Sequence, residues 1–368
     1  MSPNSCVKDQ KIVLIIILLI PMQLIGKIRV GEYGDIIEQV KNKKNGSIID
    51  YVTIYPQENA DSKQKISRNG ILIRQKNAKA TILLCHGFMC DKYDVGFLRH
   101  LLSKGNLFNF MSFDFRAHGE NSVSQCCTFG HDEAYDVITA AHFIKNHPHL
   151  KNKPLFVYAF SMGAVAAIEA QAKDNSLFKA MVLDCPFDSS ENLIKKGLQN
   201  LKFSLFGYEF DVPGRSFLEK YAFHPYVQSL VKIILKAVAN LNTYNIQTYV
   251  YPLHPAESIK KISIPCFFIH CKNDQIVPTQ AVESVYKGAA GYKRLWLTNG
   301  RRHFDSFFYD PEIYTERVQK FFNQVMSGEL FAKQKEKVVK DKDDPITAIL
   351  KKKEENIKKG ENNEASVS

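Results

Sequence analysis

The stretch VYAFSMGAVAA, residues 157–167, sets a serine between an apolar run of strand character and an alanine-rich run of helix character. Ala159 lies two positions before Ser161, and Gly163 two positions after it. A strand that turns directly into a helix packs the two elements almost backbone to backbone, so the junction needs small neighbours. Such a turn leaves the central side chain projecting from a strained backbone, which suits a nucleophile. A small-x-Ser-x-Gly string also arises by chance, so the surrounding chain decides its meaning.

Strand-like and helix-like segments alternate on both sides of that junction. SIIDYVTIYP (47–56) and ILIRQ (71–75) read as two antiparallel strands joined by a Lys/Asn/Gly loop. ATILLCHG (80–87) is a continuous apolar strand, DKYDVGFLRHLLSKG (91–105) a helix ended by Gly105, and LFNFMSFDF (107–115) a strand. HDEAYDVITAAHFIKNHP (131–148) has apolar positions three and four apart, as a helix requires. LFVYA (155–159) and AMVLDCP (180–186) are strands on either side of the helix that begins after Ser161. Fully apolar strands alternating with helices imply a parallel sheet covered on both faces, an α/β fold. After DCPFDSS (184–190) the rhythm breaks for about seventy residues rich in Phe and Tyr, with a helix expected over YVQSLVKIILKAVANL (226–241). The alternation resumes at IPCFFIHCKND (264–274) and KRLWLTNG (293–300), and closes with a helix near 311–327.

The 368 residues, 45% of them apolar, suffice for a full core. The formal charge is +11, yet the Lys and Arg are scattered and form no aromatic-interleaved basic stripe, which argues against a nucleic-acid partner. The eight cysteines (6, 85, 90, 126, 127, 185, 266 and 271) show no zinc-type spacing, and in a chain this long their even number makes no disulfide framework. Free, mostly buried thiols are expected, including the adjacent Cys126 and Cys127, because a disulfide between neighbours is strained. IVLIIILLIPMQLIG (12–26) follows Lys8 and Lys11 and falls short of the roughly 20 residues that span a bilayer comfortably. It reads as a signal or uncleaved anchor segment within residues 1–29, giving membrane association or export; a buried N-terminal helix is the alternative. Lys27 and Arg29 flank its other end, so charge does not fix which side of a membrane the body occupies. Residues 328–368, ending in KKKEENIKKGENNEASVS, read as a charged, solvated tail.

Side chains at the carboxyl ends of parallel strands converge on one edge of the sheet, where ligands bind. Ser161 ends one such strand, Asp274 follows a second, and His303 follows a third. A serine hydroxyl becomes a strong nucleophile when an imidazole takes its proton, and a carboxylate holds that imidazole in the right tautomer. Asp184 and Asp188 follow the preceding strand and compete with Asp274 for the carboxylate role. Backbone N–H groups of Met162 and Phe88 are the candidate donors to an oxyanion. His86 and His118 belong to turn motifs and are expected to be structural; His270 reads as a satisfied core histidine.

CHGF (85–88), FDFRAHGENS (113–122), AFSMGA (159–164), DCPF (184–187), HCKNDQIVP (270–278) and RRHFD (301–305) together resemble the α/β-hydrolase superfamily over residues 81–327, in particular its serine-aminopeptidase-like and esterase branch. Ala159 departs from the glycine most frequent there. The resemblance implies a mainly parallel eight-stranded sheet within residues 47–327, helices on both faces, and a helical cap inserted at about 188–258. It also implies structural roles for Arg116, His118 and Gly119 in the turn after a core strand. The expected activity is a serine hydrolase, foremost a carboxylesterase or lipase-like enzyme for small-molecule or acylated substrates, needing neither cofactor nor metal. A serine aminopeptidase, an acyl-protein thioesterase and, from another class, a non-catalytic membrane-tethered module of the same fold are the alternatives. The oligomeric state is left open.

Overall fold

The computed structural model describes residues 14–15, 47–55, 67–96, 98, 107–121, 125–199, 202–205, 208–211, 215–221, 223–224 and 247–330. The apolar runs become the strands of one sheet: β1 (Ile48–Ile54), β2 (Arg68–Arg74), β3 (Ala80–Cys85), β4 (Phe108–Phe113), β5 (Leu155–Phe160), β6 (Ala180–Asp184), β7 (Cys266–Cys271) and β8 (Lys293–Thr298). Their spatial order is β8-β7-β6-β5-β3-β4-β2-β1. β1 and β2 are antiparallel to each other, and β2 is antiparallel to β4. The remaining pairings are parallel. Every residue of β3 to β7 is buried, as strands covered on both faces require. The edge strands β1 and β8 are only partly covered.

The helices are α1 (Glu133–Asn146), α2 (Met162–Lys173), α3 (Ser190–Gln199), α4 (Thr279–Gly288), α5 (Asp305–Tyr309) and α6 (Pro311–Met326), with shorter ones at Arg215–Lys220 and Pro255–Ser258. α2 is buried along Met162–Gln171, and its alanines let it lie close to β3 and β5 while α1 packs on its flank. Two compact units divide the chain, Met1–Gln319 and Lys320–Ser368. In the second, the last turns of α6 lead to a short turn in which the Gln324 side chain donates to Glu329 at 3.0 Å.

The helix expected over 91–105 does not begin where the sequence placed it. Residues 92–96 form turns, because Asp91 Oδ1 accepts the N–H groups of Tyr93 and Asp94 at 2.7 and 3.1 Å. A local side-chain acceptor of this kind satisfies the backbone without a helix. Most of 97–106, the helix expected over 226–241, the loop at 56–66 and the tail from 331 lie outside the described residues. So does the segment 12–26 except Leu14–Ile15, a two-residue strand paired with Phe203 and Lys202. No described helix is long and apolar enough to cross a membrane. The insertion after β6 carries α3 and the Arg215–Lys220 helix, together with an antiparallel hairpin of Lys202–Leu205 and Tyr208–Asp211. It returns through Gln247–Thr248, which pairs in parallel with Cys126–Cys127.

Two buried ion clusters fix the loops around the sheet edge. Arg116 and Arg68 both bind the fully buried Asp136 at 2.9 Å, joining α1 to the FDFRAHG turn and to β2. Burial pushes the Asp136 carboxyl up, but the two guanidinium groups outweigh it and hold it below the ordinary carboxylate range. Lys92 Nζ contacts Asp114 at 2.6 Å and Glu120 at 3.0 Å. Gly119 has φ +53°, and a Cβ there would lie 2.3 Å from the Asp114 carboxyl carbon, so both backbone and space demand glycine. The expected structural roles of Arg116 and Gly119 thus have a physical basis. Asp136→Asn leaves two buried guanidinium groups short of their anion and should lower unfolding free energy by about 3 kcal/mol or more; chemical denaturation measures it.

Candidate functional site

The site grows from strand register. Phe160 pairs with Asp184 and Asp184 with Ile269, so β5, β6 and β7 end side by side. Ser161 follows β5 directly, and its N–H donates to the Asp184 carbonyl at 2.8 Å. Its backbone stands at φ 47°, ψ −116°, strained for a residue with a Cβ. The strain is held by α2 beginning at the next residue, with Gly163 against the β3 loop. A Cβ on Gly163 would approach the His86 carbonyl to 2.3 Å and the Cys85 carbonyl to 2.8 Å. This contact is the physical reason for the small residue two positions after the serine.

His303 lies in the turn after β8 and is buried. Its Nε2 is 2.9 Å from Ser161 Oγ, and its Nδ1 is 2.6 Å from Asp274 Oδ2. The other carboxylate oxygen of Asp274 accepts the N–H groups of Ile276 and Val277 at 2.8 and 3.0 Å. Burial pushes the Asp274 carboxyl up, but the His303 imidazole and these hydrogen bonds outweigh it and lower it overall. An ionised Asp274 accepts a hydrogen bond from the Nδ1 proton, which leaves the Nε2 lone pair facing the serine hydroxyl. The three residues that the sequence placed on separate strand ends therefore meet in one hydrogen-bonded line.

The rival carboxylates are engaged elsewhere. Asp188 accepts from the Ser189 N–H at 2.8 Å and the Asn192 side chain at 2.7 Å, at the start of α3. Asp184 Oδ2 accepts the Tyr314 hydroxyl at 2.6 Å, and that hydroxyl accepts in turn from Tyr158. Met162 is the first residue of α2, where N–H groups lack intrahelical partners. The register Cys85↔Ala159 runs the 86–88 loop beside this helix start. Gly87 faces the Phe304 ring, which stands 4.7 Å from the His303 ring, so one aromatic side chain touches both the loop and the imidazole.

His86 and His118 take structural positions: His86 Nε2 accepts the Phe115 N–H at 3.0 Å, and His118 Nδ1 donates to the Arg116 carbonyl at 2.7 Å. Burial lowers both imidazoles, His118 to about 4, so both are neutral. His270 is in the core but is not the satisfied histidine expected. Neither ring nitrogen makes a hydrogen bond of good geometry, and Nδ1 is 3.9 Å from Asp274 Oδ2. The seven described cysteines are free, as expected. Cys185 was missed: its Sγ lies 3.8 Å from His303 Nε2, and its backbone has φ 47°, the same value as Ser161. The available signal was position, since Cys185 follows β6 as Ser161 follows the paired residue of β5.

Burial raises the Asp184 carboxyl to about 7, overcoming the Tyr314 hydrogen bond and the nearby imidazole. A carboxyl whose folded value exceeds its unfolded one lowers stability progressively as pH rises from about 4 to about 7. Asp184→Asn removes that ionisation. Its stability relative to the parent should therefore rise across this window by a few kcal/mol, since each tenfold change in proton affinity is worth about 1.4 kcal/mol. Denaturant unfolding at pH 4, 5.5 and 8 reads the trend, and a pH-independent difference would contradict it.

Comparison with known proteins agrees with this architecture. The sequence profile of the Alpha/beta hydrolase family matches residues 82–317. An uncharacterized Bacillus subtilis (strain 168) protein, YqkD, is 24% identical over 249 residues, covering 67% of this chain and 72% of its own. Among solved structures, the Pyrococcus furiosus esterase Pf2001 superposes with a TM-score of 0.56 at 21% identity, covering 77% of this chain and 93% of its own. The hypothetical protein PA2218 of Pseudomonas aeruginosa gives a TM-score of 0.56 at 18% identity, covering 76% of this chain and 94% of its own. The profile match spans well over half of the sequence and includes the serine turn, the carboxylate and the histidine. The chain belongs to the alpha/beta hydrolase family.

Proposed function

We propose that the protein is a serine hydrolase that cleaves carboxylic esters through an acyl-enzyme on Ser161. The observation that carries this reading is the unbroken line Ser161 Oγ, His303 Nε2, His303 Nδ1, Asp274 Oδ2, at 2.9 and 2.6 Å. His303 takes the hydroxyl proton as Ser161 Oγ bonds to the ester carbonyl carbon. Asp274 stabilises the imidazolium that forms and does not itself take the proton. The Met162 and Phe88 N–H groups hold the oxyanion, each contributing about 3 kcal/mol to the transition state. Collapse of the tetrahedral adduct breaks the ester C–O bond, and His303 returns its proton to the departing alcohol. A water, deprotonated by the same imidazole, then releases the carboxylic acid and restores Ser161.

An apolar acyl group fits the surroundings. The Phe88 ring, on the oxyanion loop, packs against Phe129 at 4.8 Å, and Phe304 packs against Phe160 at 5.2 Å. The half-buried Phe88, Phe129 and Phe304 rings favour a hydrocarbon chain over a charged one, with the buried Phe160 backing Phe304.

A fluorophosphonate probe should label the intact protein and fail on Ser161→Ala; labelling that survives the substitution contradicts the assignment. Asp274→Asn should lower kcat by about 10³- to 10⁴-fold, through loss of the productive His303 tautomer. On p-nitrophenyl esters of increasing chain length, turnover should exceed that on aminoacyl amides. The reverse order favours an aminopeptidase, and no labelling with no turnover favours a binding module.

A further inference from the structure

Among the described residues, Cys185 stands beside the proposed catalytic line and is left without a task by the hydrolytic steps. Its thiol reaches His303 Nε2 at 3.8 Å, the atom that also meets Ser161 Oγ at 2.9 Å. Thiol, imidazole and hydroxyl thus converge on one point at the strand ends. Tetrahedral zinc, with Zn–S of about 2.3 Å and Zn–N of about 2.1 Å, holds sulfur and nitrogen about 3.6 Å apart. The observed separation comes within a few tenths of an ångström of that edge. The backbone at Cys185 is held at φ 47°, anchored by its N–H on the Ile269 carbonyl at 2.9 Å, so the thiol's approach is fixed by the fold.

We propose that Cys185 Sγ and His303 Nε2 form a capture site for a soft divalent cation, Zn²⁺ or Cd²⁺, which switches the hydrolase off. Asp274 Oδ2, on the far side of the ring at Nδ1, serves as the outer-shell carboxylate that orients and strengthens a metal-binding imidazole. The polarisation that makes Nε2 a base also makes it a ligand. Ser161 Oγ or water completes the sphere, the serine giving way by about half an ångström to reach tetrahedral spacing. A thiolate and an imidazole with a single hydroxyl select Zn²⁺ and Cd²⁺ over Mg²⁺ and Ca²⁺, which take oxygen ligands. On binding, the Cys185 S–H proton leaves to solvent, a sulfur–metal bond forms, and nothing is oxidised or reduced. The bound ion occupies the Nε2 lone pair and blocks proton removal from Ser161. Both thiol and imidazole are buried while Ser161 is partly exposed, so the ion enters from the serine side.

The effect on activity rests on the serine-hydrolase reading; the binding itself does not. Full-length protein is titrated with ZnCl₂ before the fluorophosphonate probe, and with CdCl₂ while the ultraviolet thiolate-to-cadmium charge-transfer band is recorded. Zn²⁺ should block labelling and EDTA should restore it. Cys185→Ser should need at least about tenfold more metal for half-block, and should lose part of the Cd²⁺ band. Cys185→Asn repeats the measurement with a residue type that tolerates left-handed backbone. Zinc-edge X-ray absorption at one equivalent, on the unsubstituted protein, should show sulfur and imidazole in the first shell. Identical metal responses in parent and variants, or a first shell without sulfur, overturn the proposal. If Ser161 takes no probe even without metal, the serine-hydrolase reading fails separately, and the cadmium band and absorption edge still decide the metal site.

Discussion

The hydrogen bond between the Asp274 carboxylate and His303 Nδ1, at 2.6 Å, is the contact on which the proposed chemistry depends. A buried carboxylate is costly unless its lone pairs are met. Here two consecutive backbone N–H groups and one imidazole meet them, and together they keep the group ionised in a place that favours its neutral form. That charge sets the tautomer of His303, and the tautomer turns a bare nitrogen toward Ser161. The same electrostatic push makes Nε2 attractive to a soft metal ion once the Cys185 thiol stands beside it.

The sheet makes this contact possible because its fully buried strands end together. Non-glycine residues with positive φ gather at that edge: Ser161 and Cys185 at 47°, Phe304 at 67°. Each such conformation costs of order 1–3 kcal/mol, and persists only where the surroundings over-determine it. Gly163 pressed on the His86 and Cys85 carbonyls, and Gly87 pressed on the Phe304 ring, are two of the constraints that do so. Polar groups under the edge are arranged with less economy. His270 makes no hydrogen bond of good geometry, and of the two Asp184 oxygens only Oδ2 makes one, to the Tyr314 hydroxyl.

Much of this was legible from residue order. Continuous apolar runs announced β3 to β7, and small residues around Ser161 announced the turn, because close packing admits nothing else there. The residue order left Asp184 and Asp188 competing with Asp274, with only the KNDQIVP context favouring Asp274; the structure adds the reason, since Tyr314 and the start of α3 occupy the other two. The failures share a cause. Residues 91–96 carry a helical spacing, but Asp91 satisfies the local backbone first, a competition that hydrophobic period does not register. Cys185 escaped because its place beside His303 comes from cross-strand register and from a φ that no composition reveals. His270 looked like an ordinary core residue because its missing partners are a property of three-dimensional packing.

The most direct test of the central contact is the protonation of His303 itself, read by ¹⁵N and ¹H NMR of histidine-labelled protein at neutral pH. An Nδ1-bound proton far downfield, paired with an unprotonated Nε2 and lost in Asp274→Asn, is the predicted result. A neutral ring carrying its proton on Nε2, with no downfield resonance dependent on Asp274, would contradict the account.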